Sequence, residues 1–184
     1  MKYGYIERER RFLVKSLPFN LNLEQDYRRI CDLYFPNTFL RLREITSPTG
    51  QLLQQKFARK EAVSDSNGHA HITNLYLTPH EYNLLSTLDG LELHKRRYHY
   101  SYLESIIAID VFEGQLAGLV LAEIEFTSDD AMAKFQPPSF CAVEVSDDPF
   151  FSGGHLVTVQ ADVLRQELHD RFQADESKFF SGLG

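Results

Sequence analysis

The chain has 184 residues, 43% hydrophobic and 24% charged, with a formal net charge of −7. That length supports one domain with a substantial core, and the acidic balance argues against a general nucleic-acid or membrane-surface binder while leaving room for a local basic pocket. No stretch approaches the ~20 apolar residues of a membrane helix, and the first residues lack the apolar core of a signal peptide.

Alternation of apolar and polar residues predicts a first strand over 4–14. Side chains on a strand alternate faces, so Glu7, Glu9 and Arg11 share one side, about 7 Å between successive members. Residues 22–34 place Leu23, Tyr27, Ile30, Cys31 and Tyr34 at helical spacing and predict a helix. Strands at 38–46 and 51–60 follow, joined through Ser47-Pro48-Thr49-Gly50. The first sets Leu40 and Leu42 against Arg41 and Arg43; the second puts Lys56 and Lys60 on one face. After a strand at 70–77, Thr78-Pro79-His80-Glu81 forms a capping box with proline at the first helical position, and Gly90 closes that helix. Strand 92–101 places Lys95 and Arg97 together. Strand 105–113 sets Ile107, Ile109 and Val111 against Asp110, and 118–127 sets Ala122, Ile124 and Phe126 against Glu123 and Glu125. A short helix follows Ser128, then a strand at 139–146 with Glu144 opposite Cys141, Val143 and Val145. A last helix over about 155–171 turns Leu156, Val159, Val163 and Leu168 inward. With no repeat or linker, residues 1–184 read as a single domain.

Eight antiparallel strands suffice to close a barrel and remove exposed edges. The expected fold class is therefore α+β, an eight-stranded antiparallel β-barrel with helices packed outside. The charges recur as same-face pairs of like sign: Glu7/Glu9, Glu123/Glu125, Arg41/Arg43, Lys95/Arg97. Like charges on one face repel, so their repetition points inward, to a highly charged ligand. Clustered carboxylates suit a hard divalent cation such as Mg²⁺ or Mn²⁺, and arginine forks match phosphate oxygens. Together they describe a metal–polyphosphate complex in a water-filled tunnel. Cys31 and Cys141 have no metal-type spacing and read as free thiols of a reducing, cytoplasmic compartment. His69 and His71 read as solvated side chains.

These residues resemble the CYTH, or triphosphate tunnel metalloenzyme, superfamily. Glu7-x-Glu9-x-Arg11 followed by Phe12-Leu13-Val14 is similar to its ExExK signature, and Arg41-Leu42-Arg43, Lys56 and Lys95-Arg96-Arg97-Tyr98 to its basic strands. Ile109-Asp110-Val111-Phe112-Glu113-Gly114, Gly118-Leu119 and Ala122-Glu123-Ile124-Glu125-Phe126 resemble the DxFxG…GL…AExE block. Glu144-Val145-Ser146-Asp147-Asp148-Pro149 resembles the late EVTxDP segment. The resemblance covers about residues 3–155, and it is the combination that is specific. It implies a divalent-metal-dependent triphosphatase related to the bacterial inorganic triphosphatases. Glu7, Glu9, Glu123 and Glu125 would hold metal, with Glu144 and Asp110 assisting. Arg11, Arg41, Arg43, Lys56, Lys95 and Arg97 would grip phosphates, and Lys95 and Tyr34 would help the nucleophile. A triphosphate-containing small molecule is the expected partner, with no nucleic-acid duplex and no membrane; a homodimer is left open. An adenylate cyclase, a thiamine triphosphatase and a non-catalytic polyphosphate or nucleotide sensor are the alternatives. Arg11 departs from the signature lysine, and an arginine cannot act as a base.

Overall fold

The computed structural model describes residues 4–24, 27–63 and 68–181, with side chains of the last helix described through residue 175. Among the described residues there are nine strands: β1 (Gly4–Val14), β2 (Tyr27–Tyr34), β3 (Leu40–Thr46), β4 (Leu52–Ala62), β5 (His69–Tyr76), β6 (Leu91–Tyr102), β7 (Ser105–Phe112), β8 (Val120–Glu125) and β9 (Cys141–Glu144). Eight close into a ring in the order β5-β4-β3-β2-β6-β7-β8-β1, completed by β1 pairing back to β5. All these pairings are antiparallel. The expected eight-stranded barrel is present, but its membership differs from the sequence reading in one stave.

That stave is β2. Residues 27–34 are a strand, not the second half of a helix; residues 25–26 of the predicted helix lie outside the described residues. On β2, Ile30, Asp32 and Tyr34 pair across from inward residues of β6 and β3, while Cys31 and Leu33 face outward. Apolar residues therefore sit on both faces and a carboxylate on the inner one, which imitates a helical period. Conversely, β9 is not a stave. It pairs with Phe12–Val14 of β1, continuing the edge that β5 occupies along Gly4–Arg8.

The remaining helices are α1 (Pro79–Leu85), α2 (Asp129–Lys134), α3 (Gly153–Leu156) and α4 (Ala161–Ser181). The capping box of α1 forms as expected, with Thr78 and Glu81 side chains each taking the other's backbone N–H. The helix ends at Leu85, so Gly90 does not cap it. Gly90 instead lets the chain approach β2, because an added Cβ would lie 2.8 Å from the Leu33 side chain. In the C-terminal region Leu156, Val159 and Leu164 are buried, whereas Val163 is exposed. Because α4 begins at Ala161, the inward register runs through Leu164 rather than Val163.

Two apolar clusters organise the molecule. One lies on the outer face and joins Phe12, Tyr98, Ile107, Ile109, Ala122 and Ile124, covered by residues of segments 17–21 and 126–140. The other lies inside one end of the barrel. There Leu13, Leu93, Phe112 and Leu121, which point inward, pack against Phe151, Leu156, Val159 and Leu164. The C-terminal segment is thus an apolar plug in one end of the ring.

Ring closure depends on a close backbone approach at Gly68. Its φ is +70°, its carbonyl accepts from Glu9 N–H at 2.8 Å, and an added Cβ would fall 2.3 Å from the Glu9 carbonyl oxygen. Gly50 has a comparable φ of +85° with nothing within 4 Å. Urea unfolding should show Gly50→Ala losing about 1 kcal/mol, the left-handed backbone strain alone. Gly68→Ala should lose about 3 kcal/mol, as overpacking is added. Equal losses in the two variants would contradict the tight closure.

Candidate functional site

The barrel encloses a cavity of about 730 Å³ whose lining carries the charged rows predicted from the sequence. Its acidic corner is built by β1 and β8. Register sets Glu9 directly opposite Glu125, with Glu7 two residues along β1 on the same face. Oxygens of Glu7, Glu9 and Glu125 lie within 4.8 Å of one another. Burial raises the Glu7 carboxyl above its usual range; Lys60 opposes this and the Glu9 charge reinforces it. The Lys60 ammonium touches Glu7 and lies 3.8 Å from Glu9. Three crowded carboxylates offering only oxygen fit a hard divalent cation, and Glu7, Glu9 and Glu125 are the residues that would hold one.

The basic walls are held by two fully buried acids. Arg43 forks onto Asp32 at 2.6 and 2.7 Å, and Arg41 Nε lies 3.6 Å from the same carboxylate. Burial pushes Asp32 upward, but Arg43, Arg41 and Lys95 outweigh it and hold the carboxyl well below the usual range. On the adjoining staves β6 and β7, Arg97 forks onto Asp110 at 2.6 Å on each oxygen, and the Lys95 ammonium takes the same group. Arg97 continues to Glu123. Burial raises Glu123, yet Lys95, Arg97 and Arg11 together hold it well below the ordinary value. Arg11 donates to Glu9 at 2.6 Å and to the Phe151 carbonyl of the plug at 2.9 Å, with Glu123 at 3.3 Å.

Two cations keep unused capacity. Buried Arg41 Nε finds no acceptor among the described residues. Lys56 sits opposite Arg43 in the β3–β4 register, and no carboxylate pairs with it among the described residues. Burial, then the Arg43 and Arg41 charges, push its ammonium down to about 8. Donors left unpaired beside a cavity are suited to an incoming anion.

The predicted residues do not all meet. Glu7, Glu9 and Glu125 converge. Glu123 faces the same cavity but is engaged by arginines, and Asp110 is spent on Lys95 and Arg97. Glu144 lies outside. It stands opposite Phe12 on the outer face, where Arg10 forks onto it at 2.8 and 2.7 Å. Val143 of β9 pairs with inward-pointing Leu13, so strand alternation turns Glu144 to the outer face. Tyr34 borders the cavity, its hydroxyl accepting from Arg41 at 3.3 Å. Sequence reasoning missed Asp32, hidden in the misread helix, and left Lys60 unassigned although its alternation with Lys56 places it on the same face.

No protein-family model matches the chain. Two crystal structures of NE1496, called a hypothetical protein in one and an inorganic triphosphatase in the other, resemble this fold with TM-scores of 0.56 and 0.54. Identities are 25% and 24%, over 84% and 83% of this chain and 99% and 95% of theirs. The chain has the CYTH, or triphosphate tunnel, fold. A putative adenylate cyclase from Bacillus halodurans shares the tunnel fold at a TM-score of 0.50, with 17% identity over 71% of this chain and 86% of that one. In sequence, 61 residues are 38% identical to the inorganic triphosphatase of Nitrosomonas europaea. That match spans 33% of this chain and 40% of the relative's length.

The tunnel geometry separates the acids experimentally. Calorimetry with Mn²⁺ should show Glu7→Gln and Glu125→Gln weakening binding by more than about tenfold, the size already typical of groups that merely orient ligands. Glu144→Gln should leave that affinity unchanged. A loss in Glu144→Gln equal to that in Glu7→Gln would place the cation elsewhere.

Proposed function

We propose that the protein is a divalent-metal-dependent triphosphatase hydrolysing inorganic tripolyphosphate or a related triphosphate inside the tunnel. The observation that carries this reading is the division of one cavity into an oxygen-only acidic corner, Glu7–Glu9–Glu125, and basic walls with donors to spare. The partial sequence identity to an inorganic triphosphatase supports the same choice of chemistry.

In this reading Arg41 and Arg43, set by Asp32, and Arg97 and Lys95, set by Asp110, bind the non-bridging oxygens along the phosphate chain. Lys95, whose side chain donates to Asp110, is a positioned cation at that wall. Tyr34, beside Arg41, orients the attacking water at the same wall. Mg²⁺ or Mn²⁺ at the acidic corner would supply Lewis-acid stabilisation of the charge on the transferred phosphoryl group. Water adds to the terminal phosphorus and the anhydride bond breaks, so tripolyphosphate yields orthophosphate and pyrophosphate. The protein's share is positioning and preorganised charge.

Purified protein with Mg²⁺ or Mn²⁺ should release phosphate from tripolyphosphate. The double variant Glu123→Gln/Glu125→Gln should lose more than about 100-fold in kcat/KM, the scale of removing a preorganised electrostatic group. Robust turnover in that variant would sink the assignment. A panel adding ATP, GTP, thiamine triphosphate and long-chain polyphosphate identifies the preferred substrate.

Lys56 gives a second measurement. Its ammonium is charged below about 8 and neutral above, so attraction for a polyanion is strongest at lower pH and weakens as pH rises through 8. Metal-free calorimetry should show tripolyphosphate binding more weakly at pH 9 than at pH 7, with a smaller difference in Lys56→Met. The same pH dependence in both proteins would assign the titration to another group.

A further inference from the structure

The outer face of the barrel holds a second set of ligand-type side chains, unrelated to the tunnel. Cys31 of β2 and His94 of β6 are directly opposite in the strand register, and Glu92 lies two residues before His94 on the same face. One ligand atom from each of the three lies within 4.8 Å of the others. His94 Nε2 is 3.0 Å from a Glu92 oxygen. We propose that Cys31, Glu92 and His94 form a binding site for a borderline-soft divalent cation of the zinc class, clamping β2 to β6 from outside the tunnel.

The donor set decides the class of ion. Sulfur, imidazole nitrogen and one carboxylate oxygen match zinc, whereas magnesium and calcium select oxygen alone. The tunnel corner has the opposite chemistry, with three carboxylates and no nitrogen or sulfur. A tetrahedral ion with bonds of about 2.0 to 2.3 Å needs ligand atoms about 3.6 Å apart. The present spacing contracts to that by side-chain rotations of about an ångström, and the exposed Glu92 side chain has the freedom to make them. The ion takes the place of the hydrogen shared by His94 and Glu92. Three protein ligands leave a fourth position for water.

The local potential favours a cation. Glu44 of β3 stands opposite Cys31 on the same outer face, with its other contact a Gln55 amide at 2.7 Å. Cys31 is unpaired with Cys141, both being free. The site also touches the tunnel wall through the backbone. Asp32, which orients Arg43, follows Cys31, and Lys95, which holds Asp110, follows His94. An ion here braces both anchors.

Cobalt titration of the purified protein tests the site, because a thiolate ligand gives an intense near-ultraviolet charge-transfer band that an oxygen-only site cannot give. Wild type should develop the band and lose it on adding Zn²⁺. Cys141→Ser and Glu7→Gln/Glu125→Gln should keep it, the latter separating this site from the tunnel. Cys31→Ser should abolish the band, and His94→Ala should weaken Zn²⁺ binding by more than about tenfold. Zn²⁺ should also slow alkylation of Cys31 in wild type. No thiolate band in wild type, a band that survives in Cys31→Ser, or alkylation indifferent to Zn²⁺ would overturn the proposal, whatever the triphosphatase assay returns.

Discussion

Everything charged in this barrel depends on two carboxylates that water does not reach. Asp32 and Asp110 are both 0% exposed, and an unpaired buried carboxylate would be strongly destabilising. Each is satisfied by more than one cation: Asp32 by Arg43 with Arg41 nearby, Asp110 by Arg97 and Lys95. The pairing fixes guanidinium planes that would otherwise sweep through many rotamers. Of these cations, Arg41 keeps an Nε without a hydrogen-bond acceptor among the described residues. The acids that look like structural ballast therefore set where an anion can sit, while Glu7, Glu9 and Glu125 stay crowded at the other corner with Lys60 and Arg11 beside them.

Arg11 acquires meaning in the same terms. A lysine at that position would offer one compact charge. The guanidinium instead reaches three elements at once: Glu9 on its own strand, Glu123 on β8 and the Phe151 carbonyl of the C-terminal plug. The departure from the signature lysine thus buttresses the plug against the acidic corner. Burial lowers its affinity for a proton, but Glu9 and Glu123 raise it further, so the charge is permanent.

Much of this is legible in the sequence itself. The rows Glu7/Glu9/Arg11, Arg41/Arg43 and Lys95/Arg97 are inward because a period of two is a property of the strand itself, and like charges on one face announce a shared target. Legibility failed where the rule linking polarity to the inside reversed. Glu144 alternates correctly with Val143, yet the plug makes that end of the barrel apolar within, and only the fold reveals that Arg10 waits outside. Asp32 failed for the complementary reason. A stave lined by a carboxylate and a tyrosine has no apolar stripe, so Tyr27, Ile30, Cys31 and Tyr34 imitate a helix. Val163 and Leu164 differ by one residue, and the start of α4 at Ala161 decided between them.

The plug also turns a ring into a blind channel. Leu13 and Leu121 inside and Phe151 and Leu156 above them leave that end almost without exposure. Among the described residues the plugged end offers no passage, so a polymer would present a terminus there rather than thread through. On the proposed chemistry the cavity therefore works as a ruler measured from its floor, counting phosphates from the chain end. On that proposed chemistry, substrate and products would both pass the end opposite the plug, and each turnover would have to empty the channel before the next.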